Sequence, residues 1–397
     1  MKICQVGTGF TSIPPQMSAA TEEVVYYLSR ELVKLCCDVT IVDIMDRKRL
    51  ASDLHIIEMP YFSFIKTTKS NSPGLIAKRL SFSFFSAMRL QTLKHDFDVI
   101  HFHNQFPAFM FQLFARPSSK KFPKIVYTVH NPIWGLPDSE MPKDVRLKFA
   151  LEVAVLKNAC KVIAVSETLK RNMIKRLSLK SSSIVAIPNG VDTDLFHPCK
   201  ATSTLRKELA PNGEKIILCV GRISRFKGQK MLVDAIPEIT RENPIVRFVF
   251  VGPMDDAQYS KEINSTIRLQ SLEKYCIFTG NVPSHLIPKY FATADVFVLP
   301  SVTEGLPLTL LQAMSSGKAI VASAIPQNRE VAKQGDETIF VDPQNVDEMS
   351  NAVTQLLADE DKRKELGQNA RRTVLRYFDW KIIAKETLQL YENASRN

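Results

Sequence analysis

The chain has 397 residues, a length that usually divides between two hydrophobic cores. Hydrophobic residues make up 45% and charged residues 23%, the balance of a globular protein, while 14 glycines and 22 prolines exclude collagen-like and low-complexity architectures. The net charge of +11 lies wholly in the first half: residues 1–190 carry 26 Lys+Arg against 15 Asp+Glu, and residues 191–397 carry 26 against 26.

Short β-branched runs alternate with longer helical patterns along nearly the whole chain. In the first half, strands are expected at Ile3–Val6, Val39–Asp43, His55–Met59, Val99–Phe102, Ile125–Val129, Val162–Val165 and Ile184–Ile187, with helices at Glu22–Leu35 and Arg146–Asn158 among those between them. Turn residues then gather at Pro188–Pro198 (PNGVDTDLFHP), where the interdomain linker is expected. The pattern restarts with strands at Ile216–Val220, Val246–Val251, Ile277–Thr279, Val296–Leu299, Ala319–Ala322 and Ile339–Val341, and with helices at Met231–Thr240 and Leu308–Ser316. Strand–helix alternation implies parallel sheets covered on both faces. The fold class is therefore α/β, as two Rossmann-like doubly wound domains. Ligands of such sheets bind beyond the carboxyl ends of the strands, so the loops that follow strands carry the chemistry.

Other features bound the surroundings. No run approaches eighteen consecutive apolar residues, and the opening MKICQVGTGF has an apolar run too short for a secretory signal core. Seven scattered cysteines without a Cys-x-x-Cys pair read as reduced, buried thiols in a cytoplasm. Tyr61–Lys94 holds Lys66, Lys69, Lys78, Arg79, Arg89 and Lys94 with no acid, interleaved with Phe62, Phe64, Phe82, Phe84 and Phe85. Two readings stand: a surface for an anionic membrane or acidic acceptor, or a solvated basic face over an ordinary core. Nucleic acid is disfavoured, because no helix-turn-helix, zinc or RNA-recognition signature accompanies the charge.

Two loops are chemically specific. After Ile216–Val220 comes Gly221-Arg222-Ile223-Ser224-Arg225-Phe226-Lys227-Gly228, with two cations five positions apart before a helix. That suits a diphosphate, Arg222 as a bidentate donor and Lys227 as a point charge, reinforced by the helix dipole. After Val296–Leu299 comes Pro300-Ser301-Val302-Thr303-Glu304-Gly305-Leu306-Pro307, with Pro307 expected in the first turn of the next helix. Glu304 there is placed to accept hydrogen bonds from sugar hydroxyls, with Gln312 one to two turns further on. The plainer alternative is that Glu304 caps the helix, worth about 1 kcal/mol.

The segment PSVTEGLPLTLLQAMSSGKAIVAS resembles the hallmark of the family 4 glycosyltransferases, retaining enzymes of the two-domain GT-B fold. The resemblance extends to GRISRFKG, IPNGVDTDLFHP, AVSE at Ala164–Glu167, FATADVFVLP, and Tyr377–Tyr391, which is similar to the family's last helix crossing back to the first domain. It implies an acceptor-binding domain at 1–190, a nucleotide-sugar-binding domain at 191–376 and a returning helix at 377–397, the two domains facing a central cleft. It further implies that Arg222 and Lys227 neutralise the donor diphosphate, that Glu304 binds the donor sugar, and that His130 faces the sugar across the cleft. Gln312 stands where the family has a glutamate bonding the ribose. Gly252, Gly280 to Val282, Gly305, Leu306 and Ala20 fall among residues near the nucleotide. The donor is a nucleotide-diphosphate sugar and the acceptor a glycan or lipid-linked hydroxyl; no cofactor and no metal are implied. A cytoplasmic chain with peripheral contact at an anionic membrane is the matching expectation.

Three positions depart from the family pattern: Gln312 has lost a charge, Ala19–Ala20 replace paired glycines, and Ile325–Glu330 lacks glycines. His101 and His103 have ligand-like spacing without a third ligand and read as structural. Gly7-Thr8-Gly9 is a fragment of a dinucleotide fingerprint, with Ser12 where a glycine is needed, and does not carry an NAD site. Against the transferase stand two alternatives: a nucleotide-sugar epimerase or phosphorylase-like enzyme on the same architecture, and a degenerate sugar-binding protein.

Overall fold

In a computed structural model, residues 1–62, 73–115, 122–135, 143–177, 183–200 and 202–396 are described. The chain divides into two units: Met1–Asn189 with Trp380–Asn397, and Gly190–Asp379.

The first unit is built on seven parallel strands, β1 (Lys2–Val6), β2 (Asp38–Ile44), β3 (His55–Met59), β4 (Val99–Phe102), β5 (Lys124–Val129), β6 (Lys161–Ala164) and β7 (Ile184–Ala186). Their order is β3-β2-β1-β4-β5-β6-β7. The second unit has β8 (Lys215–Val220), β9 (Val246–Val251), β10 (Cys276–Gly280), β11 (Val296–Leu299), β12 (Ala319–Ser323) and β13 (Ile339–Val341), in the order β10-β9-β8-β11-β12-β13. Every strand pair is parallel. Each sheet therefore runs one way from its first strand and then returns to that strand's other side. The order reverses between β1 and β4 and between β8 and β11, and ligands of doubly wound sheets bind at such switch points.

The strands form where β-branched and aromatic residues run without interruption, because both faces of a parallel sheet are covered. In the second unit Ile217, Cys219, Phe248, Phe250, Val296, Val298 and Val321 pack with Leu232, Val233, Ile236 and Ile239 of the helix Gln229–Glu242. Each such side chain fully buried contributes about 1.5–3 kcal/mol.

The end of the chain differs in detail from expectation. The helix Glu360–Tyr377 stays in the second unit, and the last helix begins at Trp380, not at Tyr377. Phe378 and Asp379 separate them. Val191 N–H donates to the Phe378 carbonyl over 2.8 Å, and the Thr193 hydroxyl donates to Asp379, so the chain leaves and returns along paired segments. The last helix then buries Trp380, Ile383, Thr387 and Tyr391.

Residues 63–72 of the basic stretch, with Phe64, Lys66 and Lys69, lie outside the described residues. In the rest, several cations turn inward. Lys78 donates to the Phe10 carbonyl over 3.0 Å, Arg79 lies over the Phe106 ring, and buried Lys94 donates to Gln91. All seven cysteines are free; Cys4, Cys37 and Cys219 are buried, but Cys36 and Cys199 are exposed, contrary to uniformly buried thiols.

Candidate functional site

In the second unit the loops after β8 and β11 leave neighbouring strands on either side of the switch point. Two backbone contacts hold them together. Val302 N–H donates to the Phe226 carbonyl over 2.9 Å. Gly228 sits at φ +65°, and a Cβ there would lie 2.1 Å from the Pro300 carbonyl oxygen, so only glycine allows this approach. Lys227 lies between these ties. Its Nζ is 2.6 Å from Glu304 Oε1, joining a mostly buried ammonium stem to a carboxylate that is 8% exposed. Glu304 spends that oxygen on Lys227 rather than on a helix cap. Pro307, expected inside the first turn, is the extended residue just ahead of the helix Leu308–Ser315. Its missing N–H is still no loss in that position.

Arg222 goes elsewhere: its guanidinium donates to Asp255 over 2.8 Å and stays 42% exposed. The structure thus brings Lys227 and Glu304 together and sets Arg222 on a different acid. Asp255 follows β9 by four residues, a loop acid beside the same strand ends that sequence reasoning did not single out. Gln229 was also missed. Almost wholly buried, it donates to the Arg222 carbonyl over 3.0 Å and accepts from Ser224 N–H, bracing the loop from the first residue of the helix. A buried amide directly after a left-handed glycine was the available signal.

Gly252 and Gly280 shape the neighbouring strand ends. Gly252, at φ +144°, lies so close to Gly221 that a Cβ would meet its carbonyl oxygen at 2.2 Å, and its N–H donates to the Gly280 carbonyl over 2.9 Å. Val282, Gly305 and Leu306 are buried, which leaves backbone as what they offer a ligand. Gln312 is buried on the helix Leu308–Ser315.

In the first unit, Ala20 opens the helix Ala20–Lys34, and Ala19 ahead of it gives no side-chain cap. The first turn is instead served by Glu22, buried and accepting from the Thr8 hydroxyl; burial raises its carboxyl to about 7. Asp43, at the end of β2 where a dinucleotide site would need an acid for the ribose, accepts from Arg49 and from Ile13 N–H. His130, just past β5, is half-buried, and its Nε2 is 3.1 Å from His103 Nδ1. His103 Nε2 lies 2.8 Å from Gln5 Oε1, and His101 bridges Tyr391 and Thr128. Burial pushes His130 down to about 4 and His101 to about 3, and holds His103 well below the ordinary value, so all three rings are neutral near pH 7.

Two parallel-sheet Rossmann-like units, each with its switch-point loops, define the GT-B class of glycosyltransferase fold. Residues 201–373 match the family described as glycosyl transferases group 1, and residues 21–195 match glycosyltransferase family 4. The chain belongs to the family 4 glycosyltransferases. It is 27% identical to spore coat protein SA of Bacillus subtilis over 77% of this chain and 81% of that protein. It is 25% identical to the GPI3 subunit of phosphatidylinositol N-acetylglucosaminyltransferase of Saccharomyces cerevisiae, over 94% of this chain and 79% of that one. Among solved structures, HepE of Anabaena in complex with UDP-glucose superposes with a TM-score of 0.76 at 20% identity, over 99% of this chain and 100% of that chain.

Proposed function

We propose that this glycosyltransferase moves a hexosyl group from a nucleotide-diphosphate sugar to a hydroxyl acceptor with retention of anomeric configuration. The observation that carries the reading is the 2.6 Å contact between Lys227 and Glu304 at the switch point of the second sheet. A sugar diphosphate needs a cation at its phosphate and a hydrogen-bond acceptor at the adjoining hexose, and these two side chains touch. A bound donor gives Lys227 a phosphate oxygen in place of the carboxylate and releases Glu304 to the sugar hydroxyls. Arg222, leaving Asp255, adds a second donor to the diphosphate.

As the glycosyl bond breaks, negative charge grows on the departing diphosphate; Lys227, and Arg222 once it has left Asp255, stabilise it, the electrostatic route to rate. Retaining glycosidases use two close carboxyl groups, one as nucleophile. Glu304 instead pairs with a cation, which favours a same-face displacement in which a donor phosphate oxygen takes the acceptor proton. Gln312 is assigned the ribose, the backbone at Gly252, Gly280, Val282, Gly305 and Leu306 the nucleotide side, Ala20 the donor end of the first unit, and His130 a substrate hydroxyl. The UDP-glucose held by HepE supports a nucleotide sugar as donor.

For the acceptor we favour a lipid-linked one met at an anionic membrane surface. The GPI3 relative acts on phosphatidylinositol by its name. On the helix Pro73–Leu93, Ile76, Leu80, Phe84 and Met88 are all exposed at four-residue spacing, which forms an apolar stripe in the half of the chain that carries the excess positive charge. Among the described residues no helix is long and apolar enough to cross a membrane. The test is transfer from a panel of nucleotide sugars to lipid and glycan acceptors, with the product anomer read by NMR. An inverted product refutes retention. Absence of both transfer and donor hydrolysis favours a sugar-binding protein, the reading that the buried amide of Gln312 would support.

A further inference from the structure

Six side chains of the first unit form one continuous hydrogen-bonded line. Thr128 Oγ1 meets His101 Nε2 at 2.7 Å, His101 Nδ1 meets the Tyr391 hydroxyl at 2.6 Å, and Gln5 Nε2 donates to that hydroxyl over 3.1 Å. Gln5 Oε1 then meets His103 Nε2 at 2.8 Å, and His103 Nδ1 meets His130 Nε2 at 3.1 Å. Gln5, His101, His103, Thr128 and Tyr391 are each at most 4% exposed, and only His130 at the end of the line reaches solvent.

Proton counting sets the direction of the links from Gln5 to His130. The Gln5 amide gives its N–H to Tyr391, so its carbonyl oxygen faces His103 and accepts. His103 must therefore carry its hydrogen on Nε2. A neutral imidazole has one N–H, so His103 Nδ1 is an acceptor, and His130 must supply the hydrogen from its own Nε2. His130 Nδ1 is then bare, with no hydrogen-bond partner among the described residues. At the other end, Tyr391 spends its single O–H on His101 Nδ1, and His101 passes its Nε2–H to Thr128. Reversing the links from Gln5 through His103 to His130 requires a turn of the buried Gln5 amide. Burial, which keeps the three rings uncharged, removes the alternative of a doubly protonated ring.

We propose that Gln5 and His103 are positioning residues that lock His130 as its Nε2–H tautomer, so that Nδ1 presents a lone pair to a substrate hydroxyl. The inference rests on the assignment of His130 to the substrate made above. Its chemical consequence is selective: the position takes a group that donates a hydrogen, a free hydroxyl, and rejects an ether or carbonyl oxygen, which brings only lone pairs. Tyr391 makes the last helix part of this selection, since its hydroxyl accepts the Gln5 amide N–H.

The test uses the full chain labelled with ¹⁵N-histidine, and long-range ¹H–¹⁵N spectra that report which ring nitrogen is protonated. His130→Gln assigns the signals. The unsubstituted chain is expected to show His130 protonated on Nε2 and bare on Nδ1; a proton on Nδ1 overturns the proposal without any variant. Gln5→Leu is expected to mix the His130 tautomers and to lower kcat about tenfold, the effect of one hydrogen bond lost, with little change in donor KM. Gln5→Glu, which keeps an acceptor for His103 Nε2–H, is expected to recover both the His130 signal and most of the turnover. A folded Gln5→Leu chain with an unchanged His130 spectrum also overturns the proposal. Full turnover in His130→Gln removes the substrate assignment instead, while the tautomer result stands by itself.

Discussion

Replacing Gly228 by alanine tests whether the contact between Lys227 and Glu304 follows from backbone packing. The added methyl would start 2.1 Å from the Pro300 carbonyl oxygen, and side-chain carbons essentially never come within 3.0 Å of such an atom, so the two loops must part by about 1 Å. That movement strains or breaks the bond between Val302 N–H and the Phe226 carbonyl, costing about 1 kcal/mol. Holding a non-glycine residue at φ +65° costs about 1 kcal/mol more. The expected loss of stability is about 2–3 kcal/mol. Gly213→Ala is the control, since Gly213 has φ +79° but nothing within 4 Å of its missing Cβ, and it should lose only the backbone share of about 1 kcal/mol. Urea unfolding measures both. Parting Lys227 from Glu304 by about 1 Å should also lower transfer about 10²-fold in Gly228→Ala and leave the control active. Equal unfolding midpoints with full turnover in both variants would refute the packing argument.

Lys227→Ala and Arg222→Ala should each lower transfer by about 10²-fold, measured on folded protein in a steady-state assay; near-normal rates in both would remove the diphosphate site. Gln312→Glu should tighten nucleotide binding about tenfold in calorimetry by restoring a charged acceptor for ribose, and weaker binding would end that assignment. The ring signals of His101 and His130 should not titrate between pH 8 and about 5, because burial holds them at about 3 and 4; a midpoint near 6.5 in either would contradict the neutral line of hydrogen bonds. The sign for stability follows: unfolded imidazoles take up protons near pH 6.5 and the folded ones only at about 3 and 4, so these groups withdraw stability as pH falls below about 6.5, by about 1.4 kcal/mol per unit each. Glu22, raised to about 7, acts in the opposite sense between about pH 4.5 and 7, so site-resolved signals are the measurement to use.

All thirteen strands lie within a residue of their expected ends, because strands of a covered parallel sheet are unbroken β-branched runs that neither turns nor surface patterning obscure. The two cation- and acid-bearing loops were legible for the same reason: each directly follows such a strand. Pairing was not legible. Lys227 and Glu304 are 77 residues apart, and nothing local says that the Phe226 carbonyl and Gly228 will be pressed against the loop after β11. Arg222 chose Asp255, whose loop belongs to the strand on the other side of β8. His101 and His103 were read as structural because no third ligand accompanies their ligand-like spacing, but their partners Tyr391, Thr128 and Gln5 come from elements that only the folded sheet and the last helix assemble. The basic stretch misled in part, since charge counting does not reveal that Lys78 and Lys94 bond inward.

The first unit is closed by Trp380–Arg396, a segment that emerges from the ribosome only after the whole of the second unit. Gln5 and Tyr391, hydrogen-bonded across 386 residues of sequence, cannot meet until the whole of the second unit has been synthesised. The second unit, being one uninterrupted stretch, is free to fold on the nascent chain, while the earlier-made sheet waits with the face that Trp380, Ile383 and Tyr391 will cover still open. Loss of Trp380–Arg396 would therefore damage the unit built from the first 189 residues, although the two segments lie far apart in sequence.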